Sequence, residues 1–195
     1  MFNDRSTPAT LLATRRSAKP RDLVGPGPDT RTLQAMLAVA ARTPDHGKLA
    51  PWRFVVVEDR DRFAQVLNDA YRVDKPAVTD AELANVEQFA RQAPTLVVVL
   101  SSPRIDSAIP RWEQELSAGA ATMNLLHAAA AHGFAGGWLT GWAAQSDAVL
   151  AAFGTPPERI VGFVFIGTAS RTLEERPRPD MDRIVSHWRL DTPAS

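Results

Sequence analysis

Three short stretches of this 195-residue chain carry side chains whose types and spacing suit an anion or a flat ligand. The first is Arg15-Arg16-Ser17, with Lys19 two residues on. Two guanidinium groups and a hydroxyl can grip a phosphate through charge-assisted hydrogen bonds, for which arginine is the better fork. The second is ARTPDHGKLAPWRF, Ala41 to Phe54, where Arg42, His46, Lys48 and Arg53 gather positive charge ahead of a strand. The third runs from Gly133 to Gly141, GFAGGWLTG, where glycines let backbone approach a planar ligand closely. Its spacing is neither G-x-G-x-x-G nor a P-loop. Each stretch also has an ordinary structural reading: a basic helix end that suits the helix dipole, a C-cap arginine with a turn histidine, and a tight helix-to-strand turn. Taken singly, both kinds of reading stay open.

The remaining composition narrows the chemistry. Net charge is zero and the pI about 6.9, so no overall field draws in nucleic acid or an anionic membrane, and any anion site must be a local cluster. The 19 arginines, against 3 lysines, are not interleaved with aromatics as in a nucleic-acid patch. There is no cysteine, which removes disulfides, thiolate nucleophiles, cysteine zinc sites and iron–sulfur clusters together. His127 and His132 lie five apart and do not share a helix face as a zinc pair would, so no metal is expected. Glu113 and Glu115, two apart, point to different faces. No nucleophile–base pair can be argued from spacing. The N-terminus lacks the basic start and apolar run of a signal peptide, and no apolar stretch nears the ~20 residues of a membrane helix. The expected location is the cytoplasm.

These stretches need elements to position them. Thr7-Pro8 reads as N-cap and first residue of a short helix ending near Arg15. SAKPRDLVGPGPDT reads as a connector. Asp29 or Thr30 caps a helix with Leu33, Met36, Leu37 and Ala40 on one face, stopped near Arg42 by Pro44. Trp52 to Val57 reads as a strand and Arg60 to Asn68 as a helix. Thr79-Asp80-Ala81-Glu82 is a capping box opening another helix, and Thr95 to Leu100 an apolar central strand. Arg111 to His132 is the longest helical pattern, and its small middle, Ser117 to Ala121, admits a close neighbour helix. A short strand near Gly137–Thr140, a helix capped by Ser146 and a strand from Ile160 to Ile166 follow. The polar, proline-rich tail from Arg171 has no core of its own. Four strands among five or six helices give one α/β or α+β domain with helices on both sides of a sheet.

Five motifs in order then carry a resemblance over roughly residues 8 to 170: Arg15-Arg16-Ser17, P-D-H-x-x-x-x-P-W-R-F at Pro44 to Phe54, P-R-W-E-Q-E-x-S-A-G at Pro110 to Gly119, G-F-x-G-x-W-x-T-G at Gly133 to Gly141, and I-V-G-F-x-x-x-G-T at Ile160 to Thr168. The chain resembles the FMN-dependent nitroreductase family, in its small single-domain bacterial NAD(P)H nitroreductase branch. The resemblance implies an α+β fold with a mixed β-sheet and helices on both sides, one domain over residues 1–195, and an entwined homodimer sharing two FMN molecules. The tail 171–195 would wrap the partner subunit. By position, Arg15, Arg16 and Ser17 would hold the phosphate and flank the flavin of one subunit. Arg42 and His46 would reach it from the other, and Trp138, Leu139 and Thr140 would pass along it. Lys19 matches a position near the flavin's pyrimidine edge in larger members. Leu139 departs from the pattern, since close relatives carry arginine there, which removes a polar side-chain contact and leaves the backbone.

The implied activity is NAD(P)H-driven reduction of nitroaromatics, quinones or similar acceptors by ping-pong hydride transfer. The cofactor carries the hard chemistry, so no residue is assigned as catalytic. The protein orients the ring and places positive charge where negative charge develops. Other flavin chemistry on the same fold (reductive dehalogenation, reduction of an unsaturated bond), a non-catalytic flavin carrier, and a dimeric module binding another phosphate are the alternatives.

Overall fold

The computed structural model describes residues 2–188. Seven helices and five strands follow one another along them: α1 Pro8–Thr14, β1 Leu23–Val24, α2 Thr30–Ala40, β2 Trp52–Val56, α3 Arg60–Asp74, α4 Asp80–Arg91, β3 Thr95–Ser101, α5 Arg111–Ala131, β4 Ala135–Leu139, α6 Asp147–Leu150, β5 Arg159–Ala169 and α7 Met181–Ile184. The start signals behave as local chemistry dictates. Thr7, Asp29, Asp59 and Ser146 each accept a backbone N–H of the first turn they cap, and Thr79 and Glu82 form the full reciprocal box.

The eleven-residue β5 is the spine of the sheet. It pairs with β3 (Val97 opposite Val164), with β4 (Gly137 opposite Phe165) and, at its far end, with β1 (Leu23 opposite Ala169), while β2 adds to β3. Among the described residues every pairing is antiparallel, where a mixed sheet was expected. The reason is parity. Two helices, α3 and α4, separate β2 from β3 and return the chain reversed. The single helix α5 sends β4 back parallel to β3, but β5 lies between them, so they never pair.

Strand alternation divides the core in two. Leu96, Val98 and Leu100 face the α3–α4 layer with Phe63, Leu67, Phe163 and Phe165. Val97 and Val99 face the α2–α5 layer with Met36, Leu125, Val164 and Ile166. Both faces are covered, which is why β3 reads as an unbroken apolar run.

Three boundaries differ from the sequence reading. The two residues of β1 lie within the stretch read as a connector. Helix α3 continues to Asp74, six residues past Asn68, because Tyr71 stacks edge-on to Trp142 and Asp74 accepts the Trp142 indole N–H at 2.9 Å. Helix α6 is a single turn, its expected third apolar residue Phe153 lying in the turn beyond. The tail begins by folding back on its own chain, where Glu174 and Glu175 meet Arg16. Its residues 189–195 lie outside the described part.

Candidate functional site

The first and third stretches meet. After α1 the chain runs as an extended segment beside β4, where the Ala18 N–H donates to the Gly136 carbonyl at 3.0 Å. The approach is so close that a Cβ on Gly137 would stand 2.5 Å from the Ala18 carbonyl oxygen and 3.4 Å from Pro20. Glycine is required there for proximity. The Arg16 N–H is tied to the Asn3 side chain at 2.8 Å, which fixes the same segment from its other end.

Arg15 is half-buried and donates to the Ser17 hydroxyl at 3.3 Å, and among the described residues it has no carboxylate partner. Burial, with the like charges of Arg16 and Arg178, pushes its guanidinium below the usual arginine range. A cation held in partial burial without an anion is an unmet demand. Arg16, its side chain 14% exposed, donates from Nε to the Glu174 carbonyl at 2.9 Å and lies 3.5 Å from the Glu175 carboxylate. Around it is a cavity of about 280 Å³ edged by Ser17, Lys19 and Arg171.

Along β4 the side chains of Trp138 and Leu139 turn into opposite core layers. The Trp138 indole donates to the Val161 carbonyl at 3.1 Å, and it lies flat on β5 because Gly162 has no Cβ, which would fall 2.0 Å from the indole nitrogen. The strand therefore offers backbone to a ligand. Among the described residues β4 pairs with β5 alone. Since the Gly136 carbonyl points to the opposite edge, alternation sends the N–H and C=O of Trp138, and of Thr140 just past the strand, to that same open edge. Gly141 follows with φ of 70° and open space around its Cα. A phosphate at the arginines and a flat ring along this edge would fit the residues present.

The second stretch lies elsewhere. Arg42 is exposed at the end of α2, without an ion pair among the described residues, and His46 is exposed on the following loop. The loop is fastened to α5: Asn124 donates to the Thr43 hydroxyl at 2.7 Å, Ser117 to the Pro44 carbonyl at 2.8 Å, and His46 Nδ1 lies 3.0 Å from the Glu113 carboxylate. Arg53 is not available to a ligand. It forks onto Glu158 at 3.0 Å and caps the Phe153 carbonyl, closing the connection between β4 and β5, and it holds the Glu158 carboxyl below its ordinary value.

Within one chain the two halves stay apart. His46 sits at Glu113, while the Arg15 charge is felt at His127, fourteen residues on and about 21 Å along the helix. Between them α5 shows an uncovered face, with Trp112 62% and Leu116 64% exposed and Ala120 also open to solvent. Glu113, Ser117, Asn124, His127 and Glu175 belong to this surrounding, and their spacing in the sequence does not mark them as site residues. Glu113 and Ser117 did lie within the P-R-W-E-Q-E-x-S-A-G motif.

Comparison with known proteins matches these features to a family. The sequence model of the Nitroreductase family matches residues 12–168, a span holding all three stretches. A protein provisionally named NAD(P)H nitroreductase YdjA, from Escherichia coli strain K12, is 39% identical over 164 residues, covering 81% of this chain and 86% of its own. The crystal structure of a nitroreductase-like family protein from Bacillus cereus superposes with a TM-score of 0.78 at 20% identity, covering 96% of this chain and 98% of that one. The FMN and NADPH-dependent nitroreductase NfnB from Sphigopyxis sp. strain HMH superposes with a TM-score of 0.72 at 20% identity, covering 94% and 100%.

Proposed function

The chain belongs to the nitroreductase family, whose members are FMN-dependent oxidoreductases, and on that premise we propose that it is an NAD(P)H-dependent FMN enzyme working as a homodimer. The observation that carries this reading is the Ala18–Gly136 bond passing over Gly137. It sets a partly buried arginine, Arg15, which has no carboxylate partner among the described residues, beside the open backbone edge of β4.

In this reading Arg15, Arg16 and Ser17 hold the phosphate, and the Trp138–Thr140 stretch passes along the ring, offering the backbone of Trp138 and Thr140 while Leu139 between them faces β5 and the core. FMN, when bound, supplies the hydride-accepting centre. The chain's own groups bind and orient it and place positive charge beside it; no acid or nucleophile is required of them. NAD(P)H and a small acceptor, such as a nitroaromatic or quinone, use one open face in turn.

Arg42 and His46 complete the site of the partner subunit. The uncovered face of α5 supports this. A two-fold axis across α5 would pair two such helices antiparallel, covering Trp112 and Leu116 and bringing the His46 end of one helix to the Arg15 end of the other. The whole chain then forms one FMN-binding domain, its tail completing the dimer, in the cytoplasm. Purified protein should be yellow, release FMN on denaturation, and be bleached by NAD(P)H without oxygen. A colourless protein that takes up no added FMN would refute the reading.

A further inference from the structure

The two acidic residues at the start of α5 have different tasks. Glu115 is engaged by Arg111 one turn back, with the Arg111 Nε donating at 2.7 Å. Glu113, its side chain 30% exposed, faces the other way and meets His46 Nδ1 at 3.0 Å. Asp45, beside His46, does not compete, since its carboxylate accepts the Ala50 N–H at 2.9 Å. An ionised carboxylate only accepts hydrogen bonds, so the ring nitrogen facing it must carry the proton.

We propose that Glu113 is a positioning residue for His46: its carboxylate accepts the hydrogen bond of Nδ1–H and so commits Nε2 as the bare ring nitrogen presented across the subunit interface to the flavin. The inference rests on the shared site described above. Which imidazole nitrogen is protonated is set by the bond that the other group offers, and free imidazole side chains favour the opposite tautomer. Glu113 therefore makes a choice that the ring would not make alone.

The surroundings make the placement rigid. Glu113, Ser117 and Asn124 stand four and seven residues apart, on one side of α5. In the same order they hold His46, the Pro44 carbonyl and the Thr43 hydroxyl. Thr43 in turn donates to the Ala40 carbonyl at 2.9 Å, joining the staple to the end of α2. Arg42 lies inside this stapled segment and is positioned with it. The start of α5 is fixed as well. Buried Gln114 donates to the carbonyls of Arg104 and Ile109 and accepts the Arg104 N–H, so the loop before the helix cannot carry Glu113 away. This joins two sequence motifs that lie 67 residues apart: the histidine of P-D-H is held by the first glutamate of P-R-W-E-Q-E, and its proline by the serine of the same run.

The test uses the full-length protein and two readouts. The first is the ¹⁵N spectrum of the histidine rings at a pH where they are neutral, with His46 assigned by its absence from His46→Ala. The expected result is an Nδ1–H tautomer in the wild type and in Glu113→Gln, whose amide oxygen still accepts, and the reverse tautomer in Glu113→Ala. The second is FMN affinity from quenching of flavin fluorescence. Glu113→Ala should bind about five- to tenfold more weakly, as for one lost hydrogen bond, with most of the loss restored in Glu113→Gln. Adding Glu113→Ala to His46→Ala should cost nothing more. A bare Nδ1 in the wild type overturns the proposal, as does a loss that persists undiminished without His46. Failure of the wild type itself to bind FMN overturns the flavin reading and removes the ligand to which His46 is presented, while the tautomer readout separately decides whether Glu113 governs the ring. If Glu113→Ala does not fold, Glu113→Gln and the wild-type tautomer decide.

Discussion

Gly137→Ala is a single methyl group aimed at the joint between the arginine segment and β4. The added Cβ would stand 2.5 Å from the Ala18 carbonyl oxygen, and its next contact, at 3.4 Å, is the Pro20 ring. Real contacts of this kind stay beyond 3.0 Å, and a backbone carbonyl cannot swing aside as a side chain can. The segment must retreat by at least half an ångström, which stretches the 3.0 Å Ala18–Gly136 hydrogen bond to the limit of such a bond. Overpacking a tight site costs about 1–3 kcal/mol and the weakened bond about 1 more, so unfolding should become easier by roughly 2–4 kcal/mol. For a chain of this length that is a fall in Tm of about 4–15 °C. Arg15, Arg16 and Ser17 move with the segment, so FMN binding should weaken by about tenfold or more. Calorimetry of the FMN-free protein and flavin fluorescence titration read the two effects separately. A variant with unchanged Tm and unchanged FMN affinity would refute the argument that close passage over Gly137 builds the site.

Three further perturbations probe other parts. Glu175→Gln removes the carboxylate that shares Arg16 with an incoming phosphate; since that carboxylate is solvent-exposed, the gain in FMN affinity should be modest, about two- to fivefold in a low-salt titration, and smaller in high salt. Leu116→Arg puts a charge on the uncovered face of α5 and should yield a monomer by light scattering that has lost FMN, because interfaces of this kind bury on the order of 2,000 Å². The His127 ring is held below its ordinary pKa by burial and by Arg15, and its Nδ1 has no partner among the described residues. The unfolded chain thus takes up the proton more readily than the folded one. Stability of the FMN-free protein should fall as pH drops below about 6.5, and urea titrations of His127→Gln should show a shallower fall.

What could be read from sequence was what the chain decides locally. Thr7, Asp29 and the Thr79–Glu82 box were legible because a cap bonds only its own first turn. The two residues of β1 were not, since a pair shows no alternation and owes its strand character to Thr168 and Ala169 of β5. The last turn of α3 rests on Trp142, some seventy residues away. The site divides in the same way. Clusters of arginine and glycine stand out, but nothing near Arg53 distinguishes it from Arg42; Glu158, 105 residues on, takes Arg53, while Arg42 has no ion pair among the described residues. The spacing of Glu113 and Glu115 puts them on different faces of α5 but does not say that Arg111 holds the one and His46 meets the other. The spread of Trp138 and Leu139 into opposite layers follows from strand alternation, and it makes Leu139 a packing residue.

The central claim is that one flavin is held by Arg15, Arg16 and Ser17 of one chain and by Arg42 and His46 of another. Mixing two variants tests it most directly. Arg16→Ala and Arg42→Ala should each lose about ten- to a hundredfold in FMN affinity, as a charge-assisted contact is removed. Their heterodimer would hold one site with both defects and one with neither. An equimolar mixture, unfolded and refolded together, should therefore recover wild-type FMN affinity at about one quarter of its sites if pairing is random. If subunit exchange is confirmed and no tight sites return, the two arginines do not serve one flavin from different chains, and the shared site is wrong.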